Sequence, residues 1–87
     1  MPQSRAKHDD AIRFGALVSR LRLARGWSLV ELASRGMNDT YLGVMERGGN
    51  MPTLATLFKL AEVFGMEAAE LVREIEQERR EAGSTPR

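Results

Sequence analysis

Residues 26–51 constrain this chain more than any other stretch, because glycines and capping residues punctuate them too closely for anything but two short helices and a tight turn. Ser28 and Glu31 form a capping box ahead of Leu32 and Ala33: the hydroxyl and the carboxylate each satisfy a backbone amide that the helix start leaves without a partner. Ala33 falls at a helix–helix contact point. Gly36, Met37 and Asn38 then supply a permissive turn residue, an apolar plug and a new N-cap, so a second helix starts at Asp39. Gly48-Gly49 ends it.

The rest of the chain reads as helix too. Residues 1–8 are polar, contain Pro2 and lack periodicity, and are expected to form a flexible basic tail, either a leader or an arm. From Asp9 onward Ala11, Phe14, Leu17, Val18, Leu21 and Ala24 fall on one arc at the 3.6 period, a first helix that Gly26 ends. Trp27 is expected to pack in the core. The second helix covers about 29–34 and the third about 39–47. Pro52 and Thr53 open a fourth, with a broad apolar face of Leu54, Leu57, Phe58, Leu60, Ala61 and Phe64 before Gly65. A fifth covers about 68–82, with Leu71, Val72 and Ile75 as its apolar stripe, and residues 83–87 are expected to be disordered. No strand signal appears. The expected architecture is all-α, a compact domain of five helices over residues 9–82.

Composition narrows the function. Eighty-seven residues allow one small core, which makes self-association a plausible supplement to stability. The chain has no cysteine, so disulfides and thiolate metal sites are excluded. No apolar run is long enough for a membrane span or signal segment, so a cytoplasmic protein with no membrane partner is expected. The single histidine, His8, stands apart from any acid constellation, and Gly48-Gly49 reads as a helix stop rather than a phosphate loop. The acids of residues 67–81 interleave with Arg73, Arg79 and Arg80 as on a solvated helix face. No enzyme, cofactor or metal is expected. Residues 1–66 carry nine Lys/Arg against six Asp/Glu, and residues 67–87 carry four against six, so the mild basic excess lies in the part of the chain that contains the two short helices.

Those two helices have the outline of a helix-turn-helix, about residues 28–47. The chain resembles the Xre/Cro-type, lambda-repressor-like family of small bacterial and phage DNA-binding regulators over about residues 14–72. The resemblance is carried by Leu21-Arg22, Gly26-Trp27-Ser28, Leu32-Ala33, Gly36, Tyr41-Leu42, Met45-Glu46-Arg47-Gly48, Pro52-Thr53-Leu54, Leu57, Ala61 and Leu71. It implies a transcription regulator, a repressor or an activator touching RNA polymerase, that binds double-stranded DNA as a homodimer on a two-fold related operator.

On the third helix, 100° steps place Tyr41, Leu42 and Met45 on one side and Asp39, Thr40, Gly43, Val44 and Arg47 on the other. In a DNA-binding helix-turn-helix the second set meets the major groove. Asp39 then accepts from a cytosine amine, Thr40 makes a polar or methyl contact, Gly43 permits close approach and Val44 touches a thymine methyl. Arg47, with the amides of Gly49 and Asn50 and the helix start at Thr53, is expected to hold phosphate. The resemblance also implies a partly buried, structural Arg22–Glu46 salt bridge. Leu71, Val72 and Ile75 are expected as a dimer element, the other reading being that they cover the domain's own core.

The chain departs from the family in three places. Leu29, followed by Val30, stands where the family has a phosphate-bracing glutamine. The segment from Ala33 to Gly36 is one residue short, so the second helix or its turn must tighten. Asp39 puts a negative charge at the leading end of the third helix. These departures keep open a protein-interaction module on the same fold: an antirepressor, an antitoxin or a regulatory subunit.

Overall fold

A computed structural model describes residues 2–83, with side chains from His8 onward. Five helices follow one another: α1 (Pro2–Ala24), α2 (Leu29–Ala33), α3 (Asp39–Glu46), α4 (Leu54–Phe64) and α5 (Ala68–Gly83). Among the described residues there is no strand, and no helix is long and apolar enough to cross a membrane. The expected all-α, five-helix architecture is the one observed.

The first helix departs most from expectation. α1 runs unbroken from Pro2, so the backbone of residues 2–8, expected to form a flexible tail, is helical. Proline suits the first helical turn, where its missing N–H has no partner to lose, and residues 3–8 contain no glycine or further proline to stop the helix. At the other end α5 reaches Gly83; residues 84–87, most of the expected C-terminal tail, lie outside the described residues.

Local chemistry sets the other boundaries. Ser28 and Glu31 close the capping box, with Glu31 N–H donating to Ser28 Oγ at 3.0 Å and Ser28 N–H donating to Glu31 Oε1 at 2.6 Å. Asn38 accepts from Tyr41 N–H at 2.9 Å and Thr53 from Thr56 N–H at 3.1 Å, capping α3 and α4. α4 stops at Gly65, where the amides of Gly65 and Met66 return to the carbonyls of Glu62 and Ala61.

The core is a cluster contributed by every helix. Phe14, Leu17 and Val18 of α1 meet Leu32 of α2, Leu42 and Met45 of α3, Leu60, Ala61 and Phe64 of α4 and Leu71 of α5. Burying each large side chain contributes about 1.5–3 kcal/mol relative to exposure, the main favourable term for so small a domain. Leu71 is fully buried and Ile75 packs against the cluster, which leaves Val72, 49% exposed, as the one member of the expected dimer trio that faces solvent. The charged end of α5 lies along its own chain: Arg20 meets Glu78 at 2.7 Å and Arg79 meets Asp10 at 3.5 Å.

Candidate nucleic-acid interface

The turn between α2 and α3 absorbs the missing residue by tightening. After Ala33 the amides of Arg35 and Gly36 bond three residues back, to Leu32 and Ala33, instead of four, and Met37 N–H also returns to Ala33 at 2.8 Å. Such i→i+3 bonds wind the chain faster than an α-helix does. Gly36 then reverses direction at φ +104°, a region that side chains rarely adopt.

α3 is held from behind by α1. Gly15 lies so close to the third helix that a Cβ there would collide with the carbonyl oxygen of Met45 and come within 2.9 Å of that of Glu46. One turn earlier, Ile12 fills the space beside Gly48, which takes φ +78° as the chain leaves α3. Two turns later, Arg22 reaches Glu46 with two hydrogen bonds of 2.7 and 3.0 Å and donates a third, of 2.8 Å, to the carbonyl of Trp27. Both side chains are nearly buried, at 14% and 11% exposure. The hydrogen bonds that Arg22 donates to the Glu46 carboxylate hold the guanidinium above its ordinary pKa.

Trp27 is occupied internally. Its ring stacks on Phe64 at 6.1 Å, and the Arg35 guanidinium covers it at 3.7 Å. It packs against the core and is not presented as a surface for stacking bases.

With its back so anchored, α3 exposes a defined set of side chains. Leu42 and Met45 are fully buried and Tyr41 partly so, as their face predicts. Asp39, Thr40 and Arg47 are exposed, and their side chains make no hydrogen bond or ion pair among the described residues. Gly43 differs from expectation: it is buried, because Leu29 Cδ2 and Arg47 Nη1 lie 3.5 and 3.4 Å from where its Cβ would be. It forms the floor of a cleft. Val44 is partly buried, its Cγ1 packed toward Gly49, so little of it faces outward.

The expected phosphate-binding residues lie beyond the end of α3. Gly49 and Thr53 are exposed, and the Thr53 hydroxyl is engaged as the α4 cap. Asn50 is half-buried, with Oδ1 buried and without a hydrogen-bond partner among the described residues. Leu29, in the place of the family's glutamine, turns inward and packs against the core and Gly43. Periodicity counted along α3 alone missed this contact, since it comes from α2. Among the described residues no group of three or more His, Cys, Asp or Glu is arranged to hold a metal ion.

The helix-turn-helix family profile matches residues 18–71. The chain is similar to the uncharacterized HTH-type transcriptional regulator y4dJ of Sinorhizobium fredii, 39% identical over 59 residues that make up 67% of this chain and 77% of that protein. It is also similar to the HTH-type transcriptional regulator SutR of Escherichia coli, 47% identical over 45 residues, 51% of this chain and 25% of SutR. The restriction-modification controller protein C.AhdI from Aeromonas hydrophila superposes with a TM-score of 0.68 and 36% identity, over 72% of this chain and 97% of that one. The clp gene regulator ClgR from Corynebacterium glutamicum shares the fold, with a TM-score of 0.74 and 22% identity over 86% and 81%.

Proposed function

Because this chain belongs to the Xre-type, lambda-repressor-like helix-turn-helix family of DNA-binding transcription regulators, we propose that it binds a specific operator as a homodimer through the exposed side of α3. The observation that carries this reading is the set of polar side chains on that side. Among the described residues Asp39, Thr40 and Arg47 have no side-chain partner, while the opposite side of the same helix is sealed into the core. Asp39 and Thr40 read base edges, with Val44 a minor contributor, and Gly43 shapes the floor on which they stand. Arg47, the amides of Gly49 and Asn50, and the start of α4 at Thr53 hold the phosphate backbone and set the register.

The dimer forms through α4 and α5. Leu54 and Phe58 stand one turn apart on α4 at 65% and 57% exposure, and Met51 and Val72, which line one groove with Leu57 and Ile75, are exposed at 38% and 49%. Burial of such a surface against its own copy supplies association energy beyond that of the small core. A two-fold dimer presents two α3 helices to half-sites about one helical turn apart. Acting on a promoter, such a dimer represses by occupancy or activates through RNA polymerase.

Selection of bound duplexes from a random pool, with affinities read against salt, tests the proposal. A recovered palindromic sequence, bound with an affinity that falls steeply with salt, is the expected result. Salt-insensitive binding to a protein, with no duplex enriched, would instead identify an interaction module.

A further inference from the structure

Between α2 and α3 lies an open cleft of about 250 Å³, lined by Leu29, Val30, Asp39, Thr40, Gly43 and Arg47. Its two walls differ in chemistry. The α3 wall carries a carboxylate, a hydroxyl and a guanidinium that have no partner among the described residues; the α2 wall is aliphatic. Leu29 is partly buried and packs on Gly43, whereas Val30 is 66% exposed and contributes nothing to the core. An isolated exposed valine needs no explanation, but this one faces the same cleft as the polar side of α3.

An aliphatic wall has no donor to offer a phosphate. Among the groups that line the major groove, the apolar one is the C5-methyl of a pyrimidine, present on thymine and on 5-methylcytosine. We propose that Val30, backed by Leu29, reads such a C5-methyl group, while Asp39 across the cleft meets the amine of a neighbouring or methylated cytosine. This inference rests on the DNA-binding reading and assigns it a second reader on α2. The departure that removed the family's glutamine thus becomes an apolar specificity contact.

The test uses the full chain and its selected operator, in which each thymine is replaced singly by deoxyuridine and each cytosine singly by 5-methylcytosine. The expected result is one position per half-site where loss of the methyl weakens binding, or its addition strengthens it, by about fourfold, the ratio corresponding to burial of one methyl group. A deoxyuridine effect assigns the methyl to thymine, and a 5-methylcytosine effect assigns it to modified DNA. In Val30→Ala and in the isosteric Val30→Thr, each checked for an unchanged unfolding transition, that dependence should shrink or vanish while the salt slope stays the same. Equal methyl dependence in all three proteins, or none in the wild type, overturns the Val30 assignment while leaving DNA binding by α3 intact. Failure of the wild type to bind any duplex at low salt overturns the DNA-binding reading and this inference with it.

Discussion

Arg22 and Glu46 join the first helix to the third across 24 residues of sequence, two guanidinium nitrogens meeting the two carboxylate oxygens at 2.7 and 3.0 Å. A third nitrogen of the same group holds the Trp27 carbonyl at the entrance to α2. One side chain therefore ties together the three segments whose relative placement sets the angle of the exposed helix.

Removing either partner strands the other charge where little water reaches it. Arg22→Ala or Glu46→Ala should each destabilise the protein by about 3 kcal/mol, against a total of roughly 4–13 kcal/mol for a domain of this size. The double substitution should cost less than the sum of the two. Urea unfolding of the four proteins checks this; strict additivity would show that the pair is not coupled.

Gly15→Ala sets helix propensity against packing. Alanine stabilises an exposed helix by about 1 kcal/mol over glycine. Here the added methyl meets the backbone of Met45 and Glu46, which yields only if α1 and α3 separate. Overpacking of this kind costs roughly 1–3 kcal/mol, and separation also stretches the Arg22–Glu46 contact, so the net change should be a lower midpoint of thermal unfolding. An unchanged or raised midpoint would mean that α1 and α3 do not approach so closely.

The capping box makes the start of α2 acid-sensitive. The Ser28 backbone N–H, and secondarily its hydroxyl, hold the Glu31 carboxyl below its ordinary pKa of 4.5. A depressed carboxylate contributes stability that is fully present above its unfolded-state pKa and is lost as pH falls through the folded value. Between pH 7 and 5 the contribution should be constant, and below about pH 4.5 it should decline. Glu31→Gln should flatten that part of the stability–pH curve, and an NMR titration of Glu31 showing an undepressed pKa would refute the assignment.

Substitutions on α3 separate positioning from reading. Arg47→Ala should weaken binding to specific and random duplexes alike and reduce the salt slope by about 0.9, the loss of one phosphate contact. Thr40→Ala should instead change base preference, by about 1–3 kcal/mol for a well-made contact. Asp39→Ala discriminates two roles: relaxed preference at one base pair if the carboxylate reads cytosine, tighter binding to every sequence if it only repels phosphate. Affinity measurements on matched and mismatched duplexes at several salt concentrations decide among these outcomes.

The α4–α5 surface makes its own prediction. Phe58→Glu should leave the monomer folded, because the ring is 57% exposed, but place a charge at the centre of the proposed contact. Sedimentation should show a shift from dimer to monomer, with loss of cooperative binding to a two-half-site operator. A dimer that survives both Phe58→Glu and Leu54→Glu would have to use another face.

Features that depend on near neighbours were legible in the sequence. The Ser28–Glu31 capping box, the caps at Asn38 and Thr53, the stop at Gly65 and the division of α3 into a buried and an exposed side all follow from hydrogen bonding and periodicity over three or four residues. Such interactions are complete within one turn of helix, so residue type and spacing suffice. The Arg22–Glu46 pair was legible only through resemblance to a family, because nothing local links positions so far apart.

What the tertiary structure decided lies where segments distant in the chain meet. Gly43 looks like an exposed face residue in α3 alone, yet Leu29 from α2 and the returning Arg47 side chain cover it. Leu71 looks as available to a second copy as Val72 does, but the core takes Leu71 entirely and leaves Val72 outside. Periodicity ranks positions around one helix axis; which of them are covered depends on the distances and angles at which other helices cross. Here the first helix, pressed onto the third at Gly15 and pinned to it by Arg22, sets that geometry, and with it what the exposed face presents.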